Sequence, residues 1–410
     1  MSTTQAVKQA PIQAVEAVMP NKQAMRSWLE VSLGRIRGNY RAVQQTIREG
    51  GQGGRTIEVM PVVKADAYGH GALEVARVLE DEGATWLAVS NVEEGIALRL
   101  AGIKARILVM ADFLPGPGRA ALKEFALTPV IHSLADLAHV DVPYHLKIDT
   151  GMGRLGTRAS AEAIVKAVSA TSARMEGLMT HFASSANFEN PQTDDQIAQF
   201  ERVVAALRVC GLHPRYIHTA STNVVAYPRS ATLDDSADST NGAWGNLVRP
   251  GHAIYGYVPV AKGTPPTSKI RAPRLQVQPA LSWKATVLAI NEVETGARIG
   301  YGGIHRADRP MRLAILAAGY ADGIPHRLGN RGQVIAGPGI LAPIIGAVSM
   351  DLTTIDATSA PHLKIGDSVM LLGELGGVSI NAQQMARVAG TISYSVLCGI
   401  SARVKRVYTD

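Results

Sequence analysis

Met60-Pro-Val-Val-Lys-Ala-Asp-Ala-Tyr-Gly-His-Gly71 sets a lysine at the end of an apolar run. The apolar, β-prone run Val59 to Val63 ends in Lys64. A Gly-His-Gly turn follows, then a helical pattern from Ala72 to Leu79. In an α/β barrel, the C-terminal end of a strand is where the chemistry sits. A part-buried lysine there can lose its proton and attack a carbonyl, forming a Schiff base. Alone, Lys64 reads first as an ordinary solvent-facing strand end, because lysine is mostly exposed. Its company downstream changes that reading.

Outward from this strand the same alternation repeats. Trp86–Val89 precedes a helical pattern over Val92–Leu100, Ile107–Met110 one around Arg119–Phe125, and Thr128–Ile131 one over Leu134–Val140. Tyr144–Ile148 precedes Ala161–Val168, and Gly177–Thr180 precedes Asp195–Val209; Tyr216–His218 and Leu247–Tyr255 supply two more strands. Strands alternating with helices in this way predict a (β/α)8 TIM-like barrel. A doubly wound sheet is the alternative, but no Gly-x-Gly-x-x-Gly follows an early strand. Ser230–Asn246 is polar and irregular, and reads as an insertion before the last barrel strand. Beyond Pro273 the pattern changes. Ala285–Val293, Met311–Leu316, Gln333–Ile335, Leu341–Ile345, Leu352–Ile355 and Ser368–Leu372 are strand-like, and a long helical pattern returns only at Asn381–Val388. The expected division is an N-terminal extension (1–27), poorly ordered, then the barrel (28–272), then a mostly-β domain (273–410).

The composition, 46% hydrophobic and 18% charged, suits a soluble globular enzyme. The net charge of +7 is scattered, with no basic run or aromatic-interleaved patch, so no nucleic-acid partner is expected. A small anionic ligand accounts for it as well. No apolar run approaches membrane-spanning length, and the N-terminus lacks the compact apolar core of a signal peptide; a cytoplasmic location is expected. Cys210 and Cys398 lie far apart in apolar segments and read as reduced core residues. His132, His213 and His326 show no metal spacing, so no metal is expected.

Several strand ends carry polar clusters that their secondary structure does not require. Leu146-Lys-Ile-Asp-Thr-Gly-Met-Gly-Arg-Leu-Gly156 follows the fifth strand and Thr180-His-Phe-Ala183 the sixth. His218-Thr-Ala-Ser-Thr-Asn223 follows the seventh, and Val248-Arg-Pro-Gly-His252 lies on the eighth. Barrel enzymes commonly hold a phosphate on the loops after the last two strands. Ser221 with Thr222, and Gly251 with His252, stand there. A Schiff-base lysine together with a phosphate cradle implies pyridoxal 5'-phosphate.

With Tyr301-Gly-Gly303, Gly319-Tyr-Ala-Asp-Gly323 and Ser349-Met-Asp351 in order behind these motifs, the chain resembles the alanine racemases, fold-type III pyridoxal-phosphate enzymes. The resemblance covers about residues 27 to 408. It implies interconversion of L- and D-alanine, with D-alanine supplied for peptidoglycan synthesis, by a homodimer with shared active sites. It also implies residue roles. Lys64 holds the cofactor and is one base; Tyr301, from the partner subunit, is the other. Two bases are needed because the α-proton leaves one face and returns to the opposite one. Tyrosine is a poor base at its ordinary pKa of about 10, and His181 is the implied cationic or donor neighbour. Arg249 faces the pyridine nitrogen; a guanidinium does not readily lose a proton, so that nitrogen stays unprotonated and the ring is a weaker electron sink. Arg154 bonds the cofactor's phenolic oxygen and reaches the substrate carboxylate. Lys147 matches a lysine that some members carbamylate, orienting Arg154. Tyr68, Thr222, Gly251, His252 and Tyr394 match the phosphate positions, Met350 a backbone contact to the substrate carboxylate, and Tyr320 the pocket mouth.

Two departures stand out. Ser349 replaces a frequent cysteine, and His252 stands where an apolar residue is common, with its imidazole expected to point away from the phosphate. Asp149 is read as holding the Arg154 loop through local side-chain to backbone bonds, His70 as structural, and Arg403, Lys405 and Arg406 as a solvated strand face. The alternatives are a broad-specificity amino-acid racemase of the same fold, a related basic amino-acid decarboxylase, and a single-domain pyridoxal-phosphate carrier. The first usually has a secretion signal and a different Arg154 loop. The second needs a C-terminal cysteine in another context than that of Cys398. The third lacks the β-domain.

Overall fold

The computed structural model describes residues 25–50, 56–113, 117–227, 245–263 and 272–410. Residues 1–24 of the expected extension and 230–244 of the expected insertion lie outside these. The chain divides into two compact units.

The first unit, Leu33–Ala280, opens with helix Leu33–Gly50. Its strands are β2 (Glu58–Val59), β3 (Trp86–Val89), β4 (Arg106–Val109), β5 (Leu127–Ile131), β6 (Tyr144–Lys147), β7 (Met175–Met179), β8 (Tyr216–His218) and β9 (Leu247–Val248). β3 to β8 run parallel, each paired with the next, and β2 pairs parallel with β9. Val63 N–H to Ala88 O (2.9 Å) joins β2 to β3, and Asn246 N–H to Ile217 O (2.9 Å) joins β8 to β9. Those links close the ring into the expected (β/α)8 barrel. Every residue of β3, β5 and β6 is buried, as in parallel strands covered by helices, which therefore read as apolar runs rather than alternations.

Helix starts follow local chemistry. Asn91 caps Val92–Leu100 by accepting from Glu94 N–H, and Ser160 caps Ala161–Ser169. Helix Gln192–Val209 buries Ile197, Phe200, Val203, Val204 and Leu207 along one face. Two expectations change. Leu134–His139 is a 3-10 turn rather than an α-helix. The strand expected over Leu247–Tyr255 stops at Val248, because Pro250 and Gly251 break it and His252–Tyr255 turns into a 3-10 helix.

The second unit is built on a sheet in the order β15-β14-β17-β10-β1-β19, with β13, β16 and β18 attached beside it. Here β1 is Ser27–Ser32, β10 Leu281–Val293, β13 Met311–Leu316, β14 Gln333–Gly337, β15 Ile340–Pro343, β16 Thr353–Asp356, β17 Ser368–Leu375, β18 Val378–Ile380 and β19 Lys405–Thr409. On β10, Leu281, Trp283, Ala285 and Val287 are buried while the residues between them are less so, the period of a half-buried strand. β1 corrects the domain reading. Residues 28–32, assigned to the barrel from sequence, pair antiparallel with β10 and parallel with β19, and Trp283 Nε1–H donates to Ser27 Oγ at 2.7 Å. The division falls at 280/281 rather than 272/273.

Both cysteines are exposed rather than buried in a core. Cys210 follows helix Gln192–Val209 and Cys398 ends helix Ser393–Cys398, positions past the buried faces. Among the described residues no helix is long and apolar enough to cross a membrane. No group of three or more His, Cys, Asp or Glu among them is placed to hold a metal.

Candidate active site

β2 delivers Lys64 into an unusual turn. Ala65, Asp66, Ala67 and Tyr68 all lie in the left-handed region, with φ of 53°, 52°, 52° and 55°. Left-handed backbone costs an L-residue roughly 1–2 kcal/mol, so the turn stores on the order of 4–8 kcal/mol. Specific bonds hold it. Glu94 accepts from Ala65 N–H through Oε1 and from Ser90 N–H through Oε2, each at 2.7 Å. Asp66 Oδ1 accepts from Ala72 N–H at 2.8 Å, opening the next helix. The Tyr68 and His70 rings pack on Tyr255, with centroids 4.7 and 4.6 Å apart. His70 is buried and structural, as read from the sequence.

β6 ends in Lys147 and leads into the loop bearing Arg154. One carboxylate organises that loop: Asp149 accepts from the N–H groups of Gly151, Met152 and Gly153 at 3.1, 2.9 and 3.0 Å, and from Arg158 Nε at 2.8 Å. Burial pushes the Asp149 carboxyl up, but the Gly153, Arg158, Gly151 and Met152 donors together hold it below the ordinary carboxylate range. Gly156 has φ 119°, and a Cβ there would lie 2.8 Å from Asp149 N. Arg154 itself is exposed and makes no hydrogen bond or ion pair among the described residues. Lys147 is buried and pushed down to about 8, first by burial and then by the charges of Arg154 and Arg249, with Lys64 adding to it.

Arg249 follows β9 and is buried. Nη1 donates to His218 Nδ1 (2.7 Å) and His218 O (2.8 Å), and Nη2 to Thr180 O (2.7 Å) and Thr219 O (3.2 Å). No carboxylate pairs with it among the described residues, and burial pushes it down to about 9, still a cation at neutral pH. His181, after β7, is pushed down to about 3 by burial and then by Arg249, Lys147, Arg154 and Lys64; its imidazole is neutral. That electrostatic reach brings the four cations and His181 into one group.

A cradle of donors lies at the adjoining strand ends. Thr222 Oγ1 accepts from Gly251 N–H (3.3 Å) and Ala253 N–H (3.2 Å), and Ser221 precedes the short helix Thr222–Ala226. A Cβ on Gly251 would run into the Tyr68 hydroxyl, so only glycine leaves that space open. The His252 ring is buried, stacked on Tyr257 at 5.0 Å and 6.2 Å from Tyr68.

The second unit gathers three further turns. Tyr301 follows Gly300, whose φ of 74° carries the chain against Gly346 and Ala347. Tyr320 N–H bonds Ser349 O and Ala321 N–H bonds Met350 O, both at 2.9 Å. Gly319 has no room for a side chain beside those two carbonyls. Tyr301, Tyr320 and Met350 are therefore carried on turns packed against one segment, 346–350, and are 77%, 45% and 53% exposed. Asp351 is braced by Arg403 Nη2 at 2.8 Å, and Arg403 Nε lies 3.4 Å from Asp322. Arg403 is thus a brace for this loop rather than part of a solvated face. Tyr394 lies on helix Ser393–Cys398 with its hydroxyl pushed up to about 12 by burial.

Two family descriptions match end to end: the alanine racemase N-terminal domain over residues 31–259 and the C-terminal domain over 280–408. The chain belongs to the alanine racemase family. The alanine racemase of Halothermothrix orenii is 36% identical over 402 residues, spanning 95% of this chain and 99% of the relative. Alanine racemase from Streptomyces coelicolor superposes with a TM-score of 0.81 at 29% identity, covering 95% of this chain and 99% of that one. Alanine racemase from Bacillus anthracis, solved with bound L-Ala-P, gives 0.78 at 30%, covering 94% and 95%.

For an alanine racemase, a family of pyridoxal-phosphate-dependent isomerases, the barrel unit brings together Lys64, Tyr68, Lys147, Arg154, His181, Ser221, Thr222, Arg249, Gly251 and His252. The second unit brings together Tyr301, Tyr320 and Met350. Sequence reasoning missed Glu94, which accepts from the Lys64 turn, and His218, which accepts from Arg249. Glu94 leaves a trace, an acidic residue three past a helix cap, but its partner Ala65 is 29 positions away. Nothing in the sequence announces the contact of His218 with Arg249, 31 positions away.

Proposed function

We propose that this chain racemises alanine with Lys64 on one face of the substrate and Tyr301 of the partner subunit on the other. The buried Arg249 carries this reading: a cation at a strand end whose charge acts on the same Lys147 and His181 as that of Lys64, satisfied by carbonyls and one imidazole, where a strong electron sink would place a carboxylate. The donor set fits pyridoxal 5'-phosphate. The hydroxyls of Tyr68, Ser221 and Thr222 and the N–H groups of Gly251 and His252, with Tyr394, would take its phosphate. Gly251 keeps the space that a Cβ would fill, and Arg249 would meet the ring nitrogen through Nε. When bound, that cofactor takes up the electron pair left as the α-proton departs.

Lys64 removes or returns the proton on its face, held in place by the clamped turn. Tyr301 does so on the other. A neutral His181 supports the tyrosine as a hydrogen-bond donor and not as a cation. Arg154 reaches the substrate carboxylate, Met350 meets it through backbone N–H, and Tyr320 stands at the mouth. Three exposed residues on neighbouring turns, two of them tyrosines, form the kind of patch that marks an interface, which supports a homodimer with shared sites. Such a dimer in the cytoplasm would supply D-alanine for peptidoglycan.

Lys64→Ala should abolish racemisation and the visible absorbance of the bound cofactor; retained turnover sinks the assignment. A panel of amino acids separates an alanine enzyme from a broad-specificity one. Lys147 is a candidate for carbamylation: its neutral amine adds to CO2 and loses a proton, giving an anion that orients Arg154. Since its pKa is lowered to about 8, the amine is mostly ammonium below that pH and free above it. A 13C-carbonate label should therefore appear on the protein increasingly as pH rises through 8 and be absent from Lys147→Ala. A label that Lys147→Ala retains would remove Lys147 from this role.

A further inference from the structure

Two buried histidines inside the barrel meet each other, and one of them is the acceptor of Arg249. His145 on β6 and His218 on β8 are fully buried, with His145 Nδ1 2.7 Å from His218 Nε2. His218 Nδ1 lies 2.7 Å from Arg249 Nη1. β7 separates the two histidine strands, and the residue of β7 in register with His145 is Gly177. A Cβ on Gly177 would run into the His145 ring, so glycine at that place is what lets the ring reach toward His218. The Trp86 and Tyr216 rings flank His145, with centroids at 5.4 and 5.9 Å.

The donors and acceptors along this line have only one consistent arrangement. A guanidinium donates and cannot accept. His218 Nδ1 must therefore be the acceptor from Arg249, and the His218 proton must sit on Nε2. That N–H points at His145 Nδ1, which must accept it, so His145 carries its own proton on Nε2. Protonating His218 sets an N–H against Arg249; protonating His145 sets two imidazole N–H groups against each other. Burial, with Arg106 and Arg249 nearby, opposes the His145 cation, and burial with Arg249 opposes the His218 cation. The line is directional: Arg249 donates to His218, and His218 donates to His145.

We propose that His145 is a positioning residue: it holds His218 in the Nε2–H tautomer and so fixes the guanidinium of Arg249. With Nη1 and Nη2 both anchored, Nε is the donor left for the cofactor's ring nitrogen. This last step rests on the function proposed above. Without an acceptor at position 145, the Nε2–H of His218 is buried with no partner, and that tautomer is held by Arg249 alone. In the other tautomer Nη1 faces an N–H, and the guanidinium has to turn.

The test is ring-nitrogen NMR of the 15N-histidine-labelled holoprotein, with the His145 and His218 signals assigned by single substitution. In the parent protein His218 should show a protonated Nε2 and a bare Nδ1, unchanged across neutral pH. His145→Phe, which cannot accept, should shift the His218 proton toward Nδ1. It should also lower kcat tenfold or more, the size of one lost hydrogen bond to a charged group, with KM for alanine little changed. His145→Gln, whose amide oxygen can accept, should restore both readouts. Gly177→Ala, which displaces the ring without deleting it, should resemble His145→Phe. A parent His218 with its proton on Nδ1, or unchanged His218 nitrogens in His145→Phe, overturns the proposal. A shifted tautomer with unaltered turnover overturns instead the placement of Arg249 against the cofactor, and leaves the tautomer control standing.

Discussion

Lys64 and Arg154 are both delivered by short loops at strand ends of the same barrel, and the two loops are held by opposite means. The Arg154 loop takes its positive φ values from Gly151, Gly153 and Gly156, so its backbone is unstrained, and a single carboxylate, Asp149, gathers its N–H groups. The Lys64 turn takes four positive φ values from two alanines, an aspartate and a tyrosine. Its strain is offset from outside, by Glu94 and by the rings stacked on Tyr255. A glycine turn reaches left-handed angles freely but reaches many others as well. A strained turn keeps its shape only while it is clamped. The loop that carries Arg154 is glycine-built and internally tied. The turn that carries Lys64 is tied down by a neighbouring helix.

Substitutions in either loop separate the two modes of support. Gly156→Ala should be the most damaging, because the new Cβ meets Asp149 N at 2.8 Å in a backbone that already disfavours side chains. A stability loss of about 2–4 kcal/mol, with most activity gone, is expected in denaturant titration and racemisation assays. An unaltered midpoint would show that the loop does not depend on glycine there. Glu94→Ala removes the partner of two N–H groups and should cost about 2 kcal/mol. Hydrogen exchange should quicken at residues 65 to 68, and kcat should fall more than KM changes. Equal exchange in the two proteins would mean that the turn holds itself. The smallest effect belongs to Ala65→Gly, which relieves one left-handed residue and should stabilise by up to about 1 kcal/mol. In the Glu94→Ala background its gain should differ, since the clamp and the strain act on one element.

The barrel was legible in the sequence because its strands are apolar runs followed by helix caps such as Asn91 and Ser160. The strand-end rule alone placed Lys64, Lys147, His181 and Arg249 at one end of it. The Asp149 loop was legible for a local reason: an acidic residue followed by alternating glycines bonds its own backbone. Long-range pairings were not legible. The left-handed run Ala65–Tyr68 leaves no mark in the sequence, since L-residues disfavour it, and Glu94 and Tyr255, distant in sequence, make it tenable. Residues 28–32 fall within the expected barrel until the partners of β1, β10 and β19, are seen; they lie more than 240 residues away. His145 and His218 are 73 residues apart and meet across an intervening glycine strand, which no spacing rule encodes.

Two bases on opposite faces of the substrate are tested by following the α-proton in Tyr301→Phe. Exchange of the α-hydrogen with deuterated solvent is measured separately for L- and D-alanine, with Lys64 intact and the cofactor bound. One enantiomer should lose its exchange while the other, served by Lys64, keeps it. Equal loss for both enantiomers, or equal retention, would contradict the two-base reading.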